Sequence, residues 1–151
     1  MCGVISISSS RLSIFAEVEH KVADLLSISE LEKAISTLQE AIAFADSSQM
    51  NEKVFKIARD ASIQRFEYCI ELAWKTSMKK LGSQTKFPKP AVREMARGNL
   101  IDSAEVWLEF IDARNETSHS YDEKVAERVF KNIRKFSDEA VMLFDRLKNL
   151  A

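Results

Sequence analysis

The stretch DEKVAERVFKNIRKFSDEAVMLFDRLKNL, residues 122–150, decides the fold class. Its apolar positions Ala126, Val129, Ile133, Phe136, Ala140, Leu143, Leu147 and Leu150 recur in alternating steps of three and four. That is the period of one face of an α-helix, whereas a half-buried strand would repeat every second residue. Asp122 stands where a helix needs a side-chain acceptor for its first free N–H groups. So long a seam must be covered by another helix. The spacing alone leaves open whether that partner lies in the same chain or in a second copy, and the intrachain reading is preferred.

Working back toward the N-terminus, Ala104, Trp107, Leu108 and Ile111 form a second stripe, which predicts a helix that passes Arg114 and ends near Ser118. Asp102 with Glu105 reads as its capping box. Pro90 is placed to open a short helix that stops at Gly98. Before it, a long helix is expected from about Asn51 to Leu81, closed by Gly82, with Phe55, Ala58, Phe66, Cys69, Ile70, Ala73 and Trp74 on its apolar face. Leu31, Ala34, Ile35, Leu38, Ala41, Ile42 and Ala45 mark another helix, with Ser29 and Glu32 as its capping box. Further back, Phe15, Val18, Val22 and Leu25 suggest a short separate helix up to about Leu26. The alternation of Val4, Ser6 and Ser8 with Ile5 and Ile7 fits either a short strand or a loose arm. Residues 1–28 therefore read as an extension, and residues 29–151 as one domain.

Composition agrees with that reading. Only three Gly and two Pro interrupt 151 residues, 46% of them hydrophobic, too few breakers for a sandwich or an α/β fold. The expected architecture is all-α: an antiparallel helical bundle with a four-helix-bundle-like core and one extra short helix. The aromatic residues Phe66, Trp74, Trp107 and Phe136 fall on helix stripes and are read as core. With 22 basic and 23 acidic residues, no net field attracts polyanions or membranes, so charge must act locally. Two cysteines, Cys2 and Cys69, are too few for a disulfide framework and suit a reducing cytoplasm. No segment reads as a secretion signal, and none approaches the run of about 18 apolar residues that would span a membrane.

The most polar stretch between two strong helices is DARNETSHSYDE, residues 112–123, which carries His119, one of only two histidines. Arg114 and Ser118 are one helical turn apart, and His119 and Tyr121 follow where the helix runs out, so these side chains can converge. A guanidinium beside an imidazole suits a phosphodiester, the one holding phosphate oxygens while the other moves a proton. One histidine serves poorly as both acid and base, so a catalytic site of this kind calls for a two-fold dimer. The plainer alternative pairs Arg114 with Glu116 or Asp112, bonds His119 to a backbone carbonyl and packs the Tyr121 ring at the turn.

Two basic features could follow a nucleic-acid backbone. Lys75, Lys79, Lys80, Lys86, Lys89, Arg93 and Arg97 form a tract facing only Glu94, and Lys124, Arg128, Lys131 and Lys135 make a ridge on the last helix. Each is also compatible with an ordinary solvated face, the preferred reading for the ridge. His20 has no cysteine or second histidine at ligand spacing, so no metal site is expected. There is no phosphate-cradling glycine loop and no Gly-Ser followed by paired aspartates, so the chain does not read as a nucleotidyltransferase itself. No cofactor is expected.

With those residues in view, RFEYCIELAWK at 65–75, PAVREMARGNLID at 90–102 and RNETSHSYDEKVAERVF at 114–130 resemble the nucleotidyltransferase substrate-binding family of the HEPN superfamily. The resemblance runs from about Ser29 to Leu150. The superfamily motif is Arg, four to six residues, then His, often followed by any residue and Tyr, and it is matched by Arg114, His119 and Tyr121, with Asn115 as the polar residue after the arginine. The resemblance implies a HEPN-like helical homodimer partnered by a separate minimal nucleotidyltransferase. In several such pairs the HEPN member is a metal-independent RNase toxin, and the partner adenylylates the motif tyrosine. On that reading Arg114, His119 and Asn115 are catalytic and Tyr121 is the modification target. Ser118, Lys124, Arg128, Lys79 and Arg93 would contact RNA or a nucleotide. Other members are described as substrate-binding subunits, which would make this chain a non-catalytic adaptor.

Overall fold

The computed structural model describes residues 9–150. Cys2 and the alternating stretch at 4–8 lie outside them. Five α-helices follow in order: α1 (Ser9–Ser47), α2 (Glu52–Leu81), α3 (Pro88–Arg97), α4 (Ala104–Glu116) and α5 (Glu123–Asn149), with a single 3₁₀ turn at Thr117–His119 between the last two. The described residues contain no strand. The all-α reading holds, with α1, α2, α4 and α5 forming the bundle and α3 as the extra short helix.

The seam of α5 finds its cover inside the chain. Ala126, Val129, Ile133, Phe136, Ala140, Leu143 and Leu147 are all buried. At the centre the Phe136 ring meets Phe66 of α2 at 5.0 Å and Phe110 and Trp107 of α4 at 5.4 and 5.5 Å, each pair edge-to-face. This is the geometry that aromatic quadrupoles favour. The cluster fastens α4 to α5 and so fixes the junction between them. Cys69 is buried on the same face of α2 as Phe66, and desolvation pushes its thiol up to about 12.

The caps explain most helix ends. Asn51 accepts from the Val54 N–H at the start of α2, and Gly82 closes that helix at φ 66°, where Ser83 N–H reaches back to the Met78 carbonyl at 2.9 Å. That left-handed turn favours glycine because a Cβ is penalised there. Asp122 accepts from the N–H groups of Lys124 and Val125, as its sequence position predicts.

Three expected boundaries are corrected. Ser29 and Glu32 form no capping box, because α1 runs unbroken from Ser9 through them to Ser47. Nothing in residues 26–29 breaks a helix, so the two predicted helices are one. Its first half extends beyond the bundle, and the stripe Phe15, Val18, Val22 and Leu25 stays exposed. The second correction concerns α3, which opens at Pro88 rather than Pro90, Phe87 supplying the extended residue before it. At α4 the cap is Ser103, whose hydroxyl accepts from Val106 N–H. Asp102 instead binds Arg146 of α5 at 2.7 Å, a long-range ion pair that local pattern cannot reveal.

Two contacts tie α1 to α2 in antiparallel register. Lys79 Nζ donates to Ser27 Oγ, and Arg65 donates to the Thr37 carbonyl. Arg134 of α5 pairs with Asp46 near the end of α1, and its hydrogen bonds hold that carboxyl below its usual range. No described helix is long and apolar enough to cross a membrane.

Candidate functional site

The junction of α4 and α5 is built by a change of helix type. Beyond Glu116 the chain tightens into the 3₁₀ turn Thr117–His119, and the Thr117 hydroxyl donates to the Arg114 carbonyl at 2.8 Å. Thr117 is buried and anchors the turn, while Ser118 and His119 are exposed. A 3₁₀ turn advances about 120° per residue rather than about 100°, so His119 is swung away from where a continued α-helix would put it. The Tyr121 ring lies edge-on to His119 at 6.2 Å between centroids and is 87% exposed. The imidazole and the phenol are thus neighbours at one solvent-facing tip.

Arg114 sits one turn earlier, with its side chain about a third exposed. Its partner is neither Glu116 nor Asp112: Nη2 faces Glu67 Oε2 of α2 at 3.9 Å. That distance is beyond hydrogen-bond range, so the guanidinium is loosely tethered and its outer donors are unspent. The Nε atom is buried without a partner. Glu116 instead accepts two bonds from Arg128 of α5, and Asp112 pairs with Lys89 of α3 at 2.8 Å.

A second tie holds the start of α5. Arg59 of α2, 4% exposed, donates to Glu123 through Nη1 at 2.6 Å and Nη2 at 3.1 Å. The bidentate bond keeps the Glu123 carboxyl below its usual range, with Coulomb attraction to Arg59 and Lys56 adding to it. Neither Glu67 nor Arg59 stands out in the sequence, because each acts on a partner far along the chain that only the fold supplies.

The remaining site residues divide into near and far. Asn115, Ser118 and Lys124 are exposed around the tip. Arg128 belongs to the same end but is spent on Glu116. Lys79 lies three turns beyond Glu67 on α2, about 18 Å along the axis, and bonds Ser27 of α1. Arg93 is exposed on α3, a separate element from the tip. The basic tract does not face Glu94 alone, as expected from local sequence. Lys75 pairs with Glu71 one turn away and Lys89 with Asp112. Glu94 itself is held by the hydroxyls of Ser83 and Thr85, which lower its pKa. The ridge on α5 is likewise interrupted where Glu116 neutralises Arg128.

Residues 26–149 match the family model described as nucleotidyltransferase substrate binding protein like. The chain belongs to this family. Among solved structures, a Haemophilus influenzae protein described as having the fold of a substrate binding domain of a nucleotidyltransferase superposes with a TM-score of 0.70 at 26% identity, covering 81% of this chain and 99% of the other. A Thermus thermophilus protein of known crystal structure gives 0.68 at 30% identity, covering 79% and 99%. A Haemophilus influenzae relative named "Probable ribonuclease HepT" is 27% identical over 139 residues, 84% of this chain and 95% of its own length. The family's helical fold is the one that presents the Arg114, His119 and Tyr121 tip here.

Proposed function

We propose that this chain is a metal-independent endoribonuclease of the HEPN type, acting as a homodimer in the cytoplasm and controlled by a separate minimal nucleotidyltransferase that adenylylates Tyr121. The observation that carries the reading is the pairing of His119 with Tyr121 at an exposed tip, one turn beyond an arginine whose outer donors are unspent. Arg114 holds the non-bridging oxygens of the scissile phosphate. The 2′-hydroxyl of RNA attacks the phosphorus, the 5′-oxygen leaves, and His119 moves a proton in that exchange, with His119 of a second copy moving the other. Asn115, exposed beside Arg114, orients the strand, and Ser118, Lys124 and the outer face of Arg128 line its path. Lys79 and Arg93 contact RNA only where the strand continues past α2.

The relative named as a ribonuclease supports this chemistry. The test is cleavage of RNA by the purified chain. Replacing His119 with Ala should slow it by about 10²- to 10⁴-fold, the usual loss for a proton-transfer group, and undiminished cleavage would overturn the assignment.

A second reading is favoured by the description of the family itself: a non-catalytic subunit that docks the nucleotidyltransferase and presents its substrate. Expression of the chain alone separates the two. Growth arrest relieved by His119→Ala supports the ribonuclease, and harmless accumulation of folded chain supports the adaptor.

A further inference from the structure

The first half of α1 leaves the bundle with an apolar face open to solvent. α1 passes the end of α2 beside Ser27, which accepts from Lys79, and every residue from 9 to 23 is exposed. Leu12, Ile14, Phe15, Val18, Val22, Leu25 and Leu26 are each between 50 and 71% exposed. They leave roughly 800 Å² bare, about the share one partner brings to a stable interface and more than the largest patch on a typical monomer. A helix of this length without packing is marginal in water, so the face calls for a cover.

Its own bundle does not supply one. At about 100° per residue, the line through Phe15, Val18, Val22 and Leu25 falls on nearly the opposite side of α1 from the core stripe Leu31, Ile35, Leu38 and Ala45. Continuing the outer line reaches Ser29, Glu32, Ser36 and Ala43, all exposed. The apolar face of α1 therefore changes sides where the helix leaves the bundle, and it looks outward. The family match begins at residue 26, so this arm lies outside what the family shares. It also projects from the end of the bundle away from the tip: Arg59, which ties the start of α5, is about 30 Å along α2 from Lys79.

The spacing and the charges identify the cover. Steps of three, four and three from Phe15 to Leu25 are the seam of a two-helix coiled coil, and a β-branched Val22 followed by Leu25 is the order that favours two parallel strands. Glu19 borders the seam on one side and Lys21 on the other, both exposed. In a parallel two-fold pair, each Glu19 border meets the Lys21 border of the other copy. An antiparallel pair would set Glu19 against Glu19 and Lys21 against Lys21. Arg11 falls on the same line one turn before Phe15, at the open mouth of the seam, where its charged head stays in water.

We infer that a second copy of this chain covers the face, the two α1 arms pairing in parallel through Phe15, Val18, Val22 and Leu25. The two bundles then lie on the outer sides, since each core stripe faces away from the seam. This contact is separate from the two-fold proposed at the tip and holds whether or not the tip cleaves RNA. Where both form, the arm links one tip pair to the next.

The test is the mass of the full chain by sedimentation equilibrium, followed up to about 1 mM, the limit of a weak contact. Phe15→Glu with Val22→Glu should at least halve the mass reached. Both side chains are exposed, at 66% and 50%, so the bundle should stay folded, as near-ultraviolet circular dichroism of the buried Trp107 would report. The direction of pairing is read by cross-linking in a Cys2→Ser background, where Cys69 is buried. Val18→Cys should form a copy-to-copy disulfide on mild oxidation, because a parallel seam faces each position with itself. Ser13→Cys, on the far side of the helix, should form at least tenfold less. Equal masses for the wild type and the double glutamate variant overturn the proposal, and that is the result if the face instead meets a different protein or a lipid surface. Cross-linking of Val18→Cys to Val22→Cys but not to itself marks antiparallel pairing and overturns it equally.

Discussion

Glu67→Gln should tighten the binding of an RNA strand at the α4–α5 junction rather than weaken it. Glu67 Oε2 lies 3.9 Å from Arg114 Nη2, with the two side chains 35% and 34% exposed. At an effective dielectric of about 20, unit charges at that separation attract by about 4 kcal/mol. Solvent screening and the cost of holding two flexible side chains reduce pairs of this exposure to about 1 kcal/mol or less. A phosphate arriving at the guanidinium competes with that attraction and is repelled by the carboxylate. The amide keeps the shape and removes both effects, and about 1 kcal/mol corresponds to roughly a fivefold lower Kd. The assay is fluorescence anisotropy with an RNA oligonucleotide whose 2′-hydroxyls are methylated so that it cannot be cut. The gain should shrink between about 50 and about 200 mM salt as the charges are screened. It should also vanish in an Arg114→Ala background, where the two substitutions share the same contact. Equal or weaker binding by Glu67→Gln with Arg114 present would refute the view that Arg114 is the phosphate-holding group.

The same geometry makes three further outcomes measurable. Phe136→Ala, at the meeting point of α2, α4 and α5, should cost about 3–5 kcal/mol and lower the melting temperature by roughly 10 °C, whereas Phe44→Ala at an exposed site should move it little. Acid should destabilise the fold through Asp46 and Glu123, both held below the usual carboxylate range by arginine partners. These groups bind fewer protons folded than unfolded, so their contribution is complete above about pH 5 and is lost as pH falls through the folded values; Asp46→Asn with Glu123→Gln should flatten melting temperature against pH there. Tyr121→Phe should retain RNA cleavage and escape inhibition by the nucleotidyltransferase, measured by cleavage after incubation with partner and ATP, and inhibition equal to wild type would exclude Tyr121 as the modified residue.

How much of this is legible in the sequence depends on the range of the interaction. Asp122, Gly82 and the seam of α5 can be read because a cap or a stripe is a local pattern fixed by spacing of a few residues. The continuity of α1 is hidden for the same reason: Ser29 and Glu32 satisfy a capping pattern, but a serine is tolerated inside a helix and only the trajectory of the backbone decides. Ser103 displaces Asp102 as the cap of α4 because Asp102 is drawn to Arg146, 44 residues away. At the site, Arg114, His119 and Tyr121 are visible as a motif, yet the partner of Arg114 is not. Glu116 and Asp112 are its neighbours on α4, and the fold commits them to Arg128 and Lys89 instead. The basic tract loses part of its apparent excess of charge, at Lys75 and Lys89, through Glu71 and Asp112, the first a helix neighbour and the second brought in by packing.

The junction separates what holds the fold from what faces solvent. Thr117 is buried, Arg59 binds Glu123 from inside the bundle, and Arg128 binds Glu116 across the turn, so the path of the chain from α4 to α5 is fixed by residues other than the motif. His119 and Tyr121 add little to that fixation: both are exposed, and their rings meet each other rather than the core. Substitution at either position should therefore leave the melting temperature within about the range of an ordinary surface change. A buried structural histidine would behave in the opposite way, losing stability whenever function is lost. Such independence is also what the proposed adenylylation would require: a bulky anionic group on the Tyr121 phenol would alter the charge met by an incoming phosphate without disturbing any packed side chain.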